Sequence, residues 1–307
     1  MADSTDLTTN SLSAAAETAI DTFYSMIGEV MRGWERIFTI KTDQREITNY
    51  KPVDFSGISD FTAQNANGQV PDADDITVGG SSYTAPAYEK RVTVTEYALA
   101  KTPDYATAVA QEFANAAANT ISKLAFALLA AADTTAHPDD TNYTAVGGGT
   151  SYLADNHATP QAQANLITTA FGVDGLKEAH AILRGYLNKS GVPMDYASDP
   201  LIAVVSTTDE QAARNLLAQN SRTYDGSGLA DVTGALFQDY IVNPYTSDAN
   251  DWLLISQTRN PFGMWIPRAP YLRIDLKPGA SRFEMYSGYE CGTFLKPFEG
   301  GFVMASV

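Results

Sequence analysis

Residues 103–132, PDYATAVAQEFANAAANTISKLAFALLAAA, constrain this chain more than any other stretch. The spacing predicts one helix of about eight turns, roughly 45 Å long at 1.5 Å per residue. Thr102 suits its cap, Pro103 its first position and Asp104 the positive end of its dipole. Val109, Phe113, Ala117, Ile121, Leu124 and Leu128 step by three or four and share a face. Ala106, Ala110, Ala114 and Ala118 form a small-residue row that permits close packing. The stretch carries few charges, Asp104, Glu112 and Lys123, so such a helix needs cover over most of its surface. Gln, Asn, Ser and Thr interrupt it too often for a membrane span. It reads as a long core helix, or as a spine across which other layers lie.

The 307-residue chain is long enough to surround that helix with a sizeable core and to hold two subdomains. Its formal net charge of −16 excludes a protein that grips nucleic acid through a basic face. The single Cys291 excludes an intrachain disulfide framework and a paired-cysteine metal site. The polar, acidic MADSTDLTTNSLS is not a signal peptide, and the composition suits a soluble protein of a reducing cytoplasm.

Along the chain, residues 1–10 read as disordered. Residues 11–34 carry a helical pattern through Ala15, Ile20, Phe23, Tyr24, Ile27, Val30, Met31 and Trp34. That helix either packs on its own domain or docks elsewhere. A strand pattern follows over 34–49. A polar, turn-rich stretch occupies 50–82, and strand returns over 83–97, with Arg91, Thr93 and Thr95 on one side and Val92 and Val94 on the other. Two strands flanking so long a polar segment describe a protruding β-arm, because a structureless loop of this length is out of place inside a compact domain. After the long helix, 133–173 is loop-like. Helices are predicted at 174–189 and 207–220, the second capped by Thr207 or Thr208. Strands are predicted at 201–206, 235–242, 252–257, 262–266 and 271–275. The last stretch reads as two strands turning near Gly288–Gly292. The sum is an α+β protein with non-local strands.

Chemistry-bearing motifs are scarce. His137 and His157, with Asp139, Asp140 and Asp155, could form a metal site, but polar loop residues in water are the plainer reading. The DADD of 72–75 lacks the later glycine and glutamate of a calcium loop. His180 lies in a helix without acidic neighbours in sequence. Cys291 reads as a small buried hydrophobe. Phosphate-loop, dinucleotide, serine-hydrolase and zinc-protease signatures do not occur in the sequence. The expectation is a non-enzyme with no catalytic residue, no cofactor and no metal.

The order of elements resembles the major capsid protein of tailed bacteriophages, and within it the Mu-like major head subunit family. SYLADNHAT (151–159) resembles the family's aromatic–x–Ala–Asp–x–His element after the spine helix, although Ala rather than Gly follows His157. LIAVVSTTDEQAARNLLAQ (201–219) resembles its strand and Ala/Arg/Leu-rich helix. VNPYTSDANDWLLIS (242–256) resembles its strand, proline turn, Asp-Ala-x-x-Trp and strand. Residues 60–82 depart from the pattern.

The resemblance implies a tailed-phage major capsid fold: an N-terminal arm (1–34), an extended β-loop (35–97), a peripheral domain (98–173) with spine helix 103–132, an axial domain (174–275), and return strands of the peripheral domain (276–307). It implies self-assembly as hexamers and pentamers into an icosahedral shell around double-stranded DNA, in the virion after assembly in the host cytoplasm. Portal, separate scaffold and decoration proteins are the implied partners, with no membrane and no sequence-specific DNA contact. Some relatives cross-link a loop lysine to an asparagine; Lys41 and Lys51 are the lysines in or near this loop, and no asparagine partner is assigned. Arg45, Lys51, Asp54, Asp60, Lys90 and Arg91 are the candidate intersubunit contacts. The alternatives are an encapsulin-like compartment shell and a metal-dependent hydrolase built on His137 and His157.

Overall fold

A computed structural model describes residues 4–27, 33–42, 54–56, 77–79, 84–102, 104–130, 165–187, 193–218, 223–224, 230–231, 236–245, 251–276, 282–295 and 301–305. The chain opens with helix α1 (Ser4–Ile27), a 3-10 turn (Trp34–Arg36) and β1 (Thr39–Lys41). Short strands β2 (Asp54–Ser56) and β3 (Thr77–Gly79) pair antiparallel with each other. Then come β4 (Ala87–Thr95), α2 (Glu96–Lys101) and the long α3 (Tyr105–Ala130). The next section holds β5 (Leu166–Ile167), α4 (Val173–Gly185), a 3-10 turn (Tyr196–Ser198), β6 (Leu201–Ser206), α5 (Glu210–Ala218), and the small pair β7 (Thr223–Tyr224) and β8 (Ala230–Asp231). The chain closes with β9 (Asp239–Asn243), β10 (Trp252–Ser256), β11 (Phe262–Leu276), β12 (Arg282–Leu295) and β13 (Phe302–Ala305).

Two larger sheets organise these elements. One runs β1-β11-β12-β4, with β1 parallel to β11 and the rest antiparallel. The other runs β5-β13-β10-β6-β9. Helix α3 is continuous, as its sequence predicts. Its alanine row is the centre of the buried face: Ala106, Ala110 and Ala114 let α1 approach closely, and Ala19 and Phe23 of α1 share a core with them and with Leu272, Phe283 and Met285 of the four-stranded sheet. Farther along, Ala117, Ile121, Ala125, Phe126 and Leu129 enter a second core between the two sheets. Phe113 and Ile121 are buried as expected, whereas Val109, Leu124 and Leu128 are only partly covered.

The five-stranded sheet is buried on both faces. Ile202, Val204, Leu253, Ile255, Phe302 and Met304 face the α3 core, while Ala203, Val205, Trp252, Leu254, Val303 and Ala305 meet α4 and α5 through Leu176, Ala179, Leu183 and Ala213. That is why LIAVVS and WLLIS are unbroken apolar runs rather than alternating ones.

Several expectations are corrected. Helix α1 begins at Ser4, inside the segment read as disordered, and it docks on the chain's own α3. Glu96 and Tyr97, read as strand, open α2, where the Thr95 hydroxyl accepts from the Ala98 N–H as an N-cap. Helix α4 stops at Gly185; Tyr186 is extended, and Leu187 bridges to Pro193. The predicted strands 262–266 and 271–275 are one strand, β11. Between Trp265 and Tyr271 three residues of β11 twice oppose two of β12, and Pro267 and Pro270 sit in these two bulges, where a missing N–H breaks no ladder bond.

The turn expected near Gly288–Gly292 is absent, because β12 runs straight through both glycines. Gly288 faces Tyr271 across the ladder, and a side chain there would meet the phenol oxygen at 2.8 Å. At Gly292 a side chain would meet the Thr84 carbonyl at 2.4 Å. Both glycines give room for close approach rather than for a turn.

Phe113 is 5 % exposed in the core that joins α1, α3 and the four-stranded sheet. Phe113→Ala should cost about 3–5 kcal/mol, measured as the shift in urea unfolding of the free subunit. A loss below about 1 kcal/mol would mean that the site collapses around the missing ring.

Candidate assembly surfaces

The ribbon β4–β12–β11 has two chemically different faces. Period-2 alternation sends Val92, Val94, Leu272, Ile274, Phe283 and Met285 toward α3 and α1. The opposite face is an interlocked polar layer. Arg91 lies 3.9 Å from Glu284, Arg268 lies 3.9 Å from Glu290, and Arg273 donates to Asp275 at 2.8 Å. Arginine planes cover tyrosine rings, Arg268 over Tyr271 at 4.1 Å and Arg273 over Tyr286 at 5.0 Å. Tyr286 donates to Glu284, and Tyr271 donates to Glu89 at 3.2 Å. Glu284 is buried, but the other groups of these pairs are partly or fully exposed, and exposed pairs add little stability singly. Together they fix the side-chain directions of a broad face with both signs of charge.

The turn between β10 and β11 is built differently. Arg259 grips Asp199 with Nε and Nη2, each at 2.8 Å, donates to the Met194 and Asp195 carbonyls at 2.8 and 3.1 Å, and lies over the Tyr196 ring at 4.8 Å. Ser256 donates to the same carboxylate at 2.6 Å. Burial works against the charge on Asp199, but the hydrogen bonds from Arg259 and Ser256 outweigh it and hold the carboxyl below its ordinary value. Asn260 is 2 % exposed and donates to the Ile37 and Ser256 carbonyls at 3.0 and 2.8 Å, while its own oxygen accepts from the Phe262 N–H. Gly301 completes the joint in the left-handed region (φ +85°): its carbonyl accepts from the Ser256 N–H, and a side chain there would strike the Arg259 carbonyl.

A cleft of about 110 Å³ opens where β4 and β12 cross α3. Its walls include Phe113, Ala116, Ala117 and Thr120 of α3 and the stacked rings of Tyr88 and Tyr289, 5.1 Å apart. Lys90 and Glu89 also line it. Cys291 nearby is fully buried, and burial pushes its thiol up to about 12, which suits an inert packing group.

Of the six candidate contacts, Lys90 lines this cleft and Arg91 joins the polar face opposite Glu284; both are exposed. Asp54 opens β2. Arg45, Lys51 and Asp60 lie outside the described residues, as do His137, His157 and 72–75. Lys41 is exposed at the end of β1. Among the described residues, no three metal-ligating side chains gather. Sequence reasoning missed the Arg259–Asp199 joint. Its one signal was the TRNPFG run at 258–263, whose partners lie far away in sequence.

The comparisons with known proteins decide what such a scaffold belongs to. The model of the family described as phage capsid protein matches residues 79–298, well over half of the chain. The chain belongs to the phage capsid protein family. Solved capsids share the fold at low identity. The capsid of Cyanophage P-SCSP1u matches with a TM-score of 0.53 at 11 % identity, covering 89 % of this chain and 86 % of that one. The capsid of Ralstonia phage GP4 gives 0.52 at 10 %, covering 87 % and 86 %. The capsid of a native GTA particle gives 0.52 at 12 %, covering 89 % of each. None of the curated protein sequences matches the chain.

As a capsid protein the chain is a structural shell component of the virion that assembles with further capsid subunits. Its two sheets and α3 are the tailed-phage capsid fold that the sequence led one to expect. The β10–β11 joint holds the two sheets in a fixed relation within each subunit.

The Asp199 carboxyl is held below its unfolded value, so it stabilises the fold fully above about pH 4 and progressively less as the pH falls through its folded value. Asp199→Asn should cost about 1–2 kcal/mol at neutral pH and remove that share of acid sensitivity. Urea midpoints of both proteins between about pH 7 and pH 3 check this. Parallel pH profiles would assign the sensitivity to other carboxylates.

Proposed function

We propose that this chain is the major head subunit of a tailed phage of the Mu-like kind. It closes as hexamers and pentamers into an icosahedral shell around double-stranded DNA, after assembly in the host cytoplasm. The family match over 79–298 is the observation that carries the reading. The acidic composition fits a wall that encloses DNA without gripping it, since counterions neutralise the packaged genome. A portal and a separate scaffold chain are the expected partners, and the part played is structural rather than catalytic. This reading shifts the expected domain bounds: β11, expected in the axial domain, and β1 and β4, expected in the extended loop, join the four-stranded sheet with α3 as the peripheral region; β13, expected among the peripheral return strands, joins the five-stranded sheet with α4 and α5 as the axial region; and the segment around β2 and β3 is the extended loop.

Electron microscopy of the protein expressed with its scaffold tests the proposal. Closed particles of uniform size with hexameric and pentameric capsomers are expected. A protein that stays a small soluble oligomer under those conditions overturns it.

The loop generates its own prediction. Residues 45–90 are polar and poor in large aliphatics, and ordering a backbone costs about 1–2 kcal/mol per residue; residues 87–90 are ordered by pairing with β12, and for the rest the cost is met by contacts with a neighbour. Deleting 55–80 should leave a folded, soluble subunit that forms no closed shells. Amide exchange across 50–82 should be fast in free subunits and slow in particles. Normal assembly of the deletion, or slow exchange already in the free subunit, would place this segment in the subunit's own core.

A further inference from the structure

Strand β4 is an end strand of the four-stranded sheet, and among the described residues no strand pairs with its outer edge. One bond fixes which backbone groups face that edge. The Cys291 N–H donates to the Pro86 carbonyl, one step beyond the Ala87–Glu290 pair. Bonded and non-bonded pairs alternate along an antiparallel ladder. Tyr88, Lys90, Val92 and Val94 therefore bond to β12, while Ala87, Glu89, Arg91 and Thr93 turn their N–H and C=O groups outward. Those four residues are exposed. Neither a proline nor a bulge blunts the edge from Ala87 to Thr95; its guard is the charged run Glu89, Lys90, Arg91. A free row of this length is a template for a further strand.

Charge selects the strand that fits. A second β4, run antiparallel, bonds to this edge only in registers that set outward-turned residues opposite one another. Centred on Glu89 or on Arg91, such a register puts two like charges face to face. Centred on Lys90, it sets Glu89 opposite Arg91 of the second copy, twice by symmetry, with Ala87 opposite Thr93 and Tyr88 opposite Val92. The Glu89–Arg91 pairs then lie on the outer polar face. The two Lys90 stems meet on the α3 side, where they are exposed and their ammonium groups can splay into water. Two opposite-charge pairs outweigh that one like pair. We propose that β4 pairs with β4 of a second copy in this register, through about eight backbone hydrogen bonds, and joins two sheets into one with both α3 helices on the same side. The paired segment ends at Thr93, short of the α2 cap at Thr95, and at Ala87, short of Pro86. The contact is isologous and belongs on a two-fold axis. The inference rests on the capsid reading and names one of the contacts of its shell.

The test places single cysteines along the edge; the native Cys291 is fully buried and stays out of the reaction. Lys90→Cys sets the residue opposite its own copy in a non-bonded pair, with Cα atoms about 4.5 Å apart, within the span of a disulfide. Glu89→Cys and Arg91→Cys each lie about 8–9 Å from their own symmetry mates, beyond that span, but face one another. Particles assembled with scaffold are oxidised with diamide and run on non-reducing gels. Lys90→Cys should form dimers. Glu89→Cys and Arg91→Cys should stay monomeric alone and form dimers when the two are co-assembled. Well-formed Lys90→Cys particles without dimers, or dimers from Glu89→Cys or Arg91→Cys alone, overturn the pairing and leave the capsid reading intact. Lys90→Cys dimers from a chain that forms no particles overturn the capsid reading and keep the pairing. A further variant reads the backbone. Thr93→Pro removes an outward N–H and no bond to β12. Its unfolding midpoint should hold while the concentration needed for assembly rises at least about tenfold. Unchanged assembly of Thr93→Pro overturns the proposal.

Discussion

One turn, residues 256–262, holds the two sheets of this subunit together. Its backbone leaves β10 in the five-stranded sheet and enters β11 in the four-stranded sheet within a few residues. Side chains and backbone of that turn tie it to three other segments: Asn260 to the segment before β1, Arg259 to the 194–199 loop, and the Ser256 backbone N–H to the Gly301 carbonyl before β13. Some of its polar groups close the turn on itself, as Asn260 does with the Ser256 carbonyl and the Phe262 N–H, while Arg259, Asn260 and the Ser256 N–H also reach segments distant in sequence, so the turn is complete only once those segments arrive. A partly buried, densely bonded network of this sort resists gradual deformation, because losing one partner leaves the others unsatisfied. The sheets' relative placement is therefore set within the subunit, and the α3 core between them is filled accordingly.

Farther from that turn the construction changes. Past Trp265 the β11–β12 ribbon passes through two bulges that carry Pro267 and Pro270, and each bulge drops ladder bonds and adds twist. Beyond them the ribbon is held by α1 and α3 on one face and by arginine–tyrosine–carboxylate contacts on the other. Those exposed contacts trade against water at little net cost. The molecule thus grades from a densely bonded joint to a ribbon whose outer face is exchangeable, which is where neighbouring subunits can compete for hydrogen bonds.

Elements whose burial is local in sequence were legible. Helix α3 announced itself through its alanine row, β6 and β10 through unbroken apolar runs, and β4 through alternation between Arg91, Thr93 and Val92, Val94. The errors share a cause. Gly288, Gly292, Pro267 and Pro270 look like punctuation in a single sequence, but the partner strand gives them another meaning: aromatic cover, close backbone approach and bulges. Tyr97 read as strand because β-propensity favours tyrosine, while the Thr95 cap decided for helix. Lys90 and Arg91 were singled out as candidate contacts by charge alone; charge could not say that one lines a cleft and the other faces Glu284 across the sheet.

The acidity of the chain limits how such subunits can associate. Copies of charge −16 repel at long range, and salt screens that repulsion beyond roughly 8–10 Å. Attraction must then come from short-range terms, namely apolar area, backbone pairing and matched local charges. The described surface offers few large apolar side chains: Tyr24, Ile40, Tyr97 and Tyr245. Weak interfaces of this composition would suit a shell, because subunits that bind loosely can dissociate from wrong positions before the lattice closes. Many weak contacts per subunit, each reversible, then hold the finished assembly as a set, and the rigid joint at 256–262 ensures that every copy presents them in the same geometry.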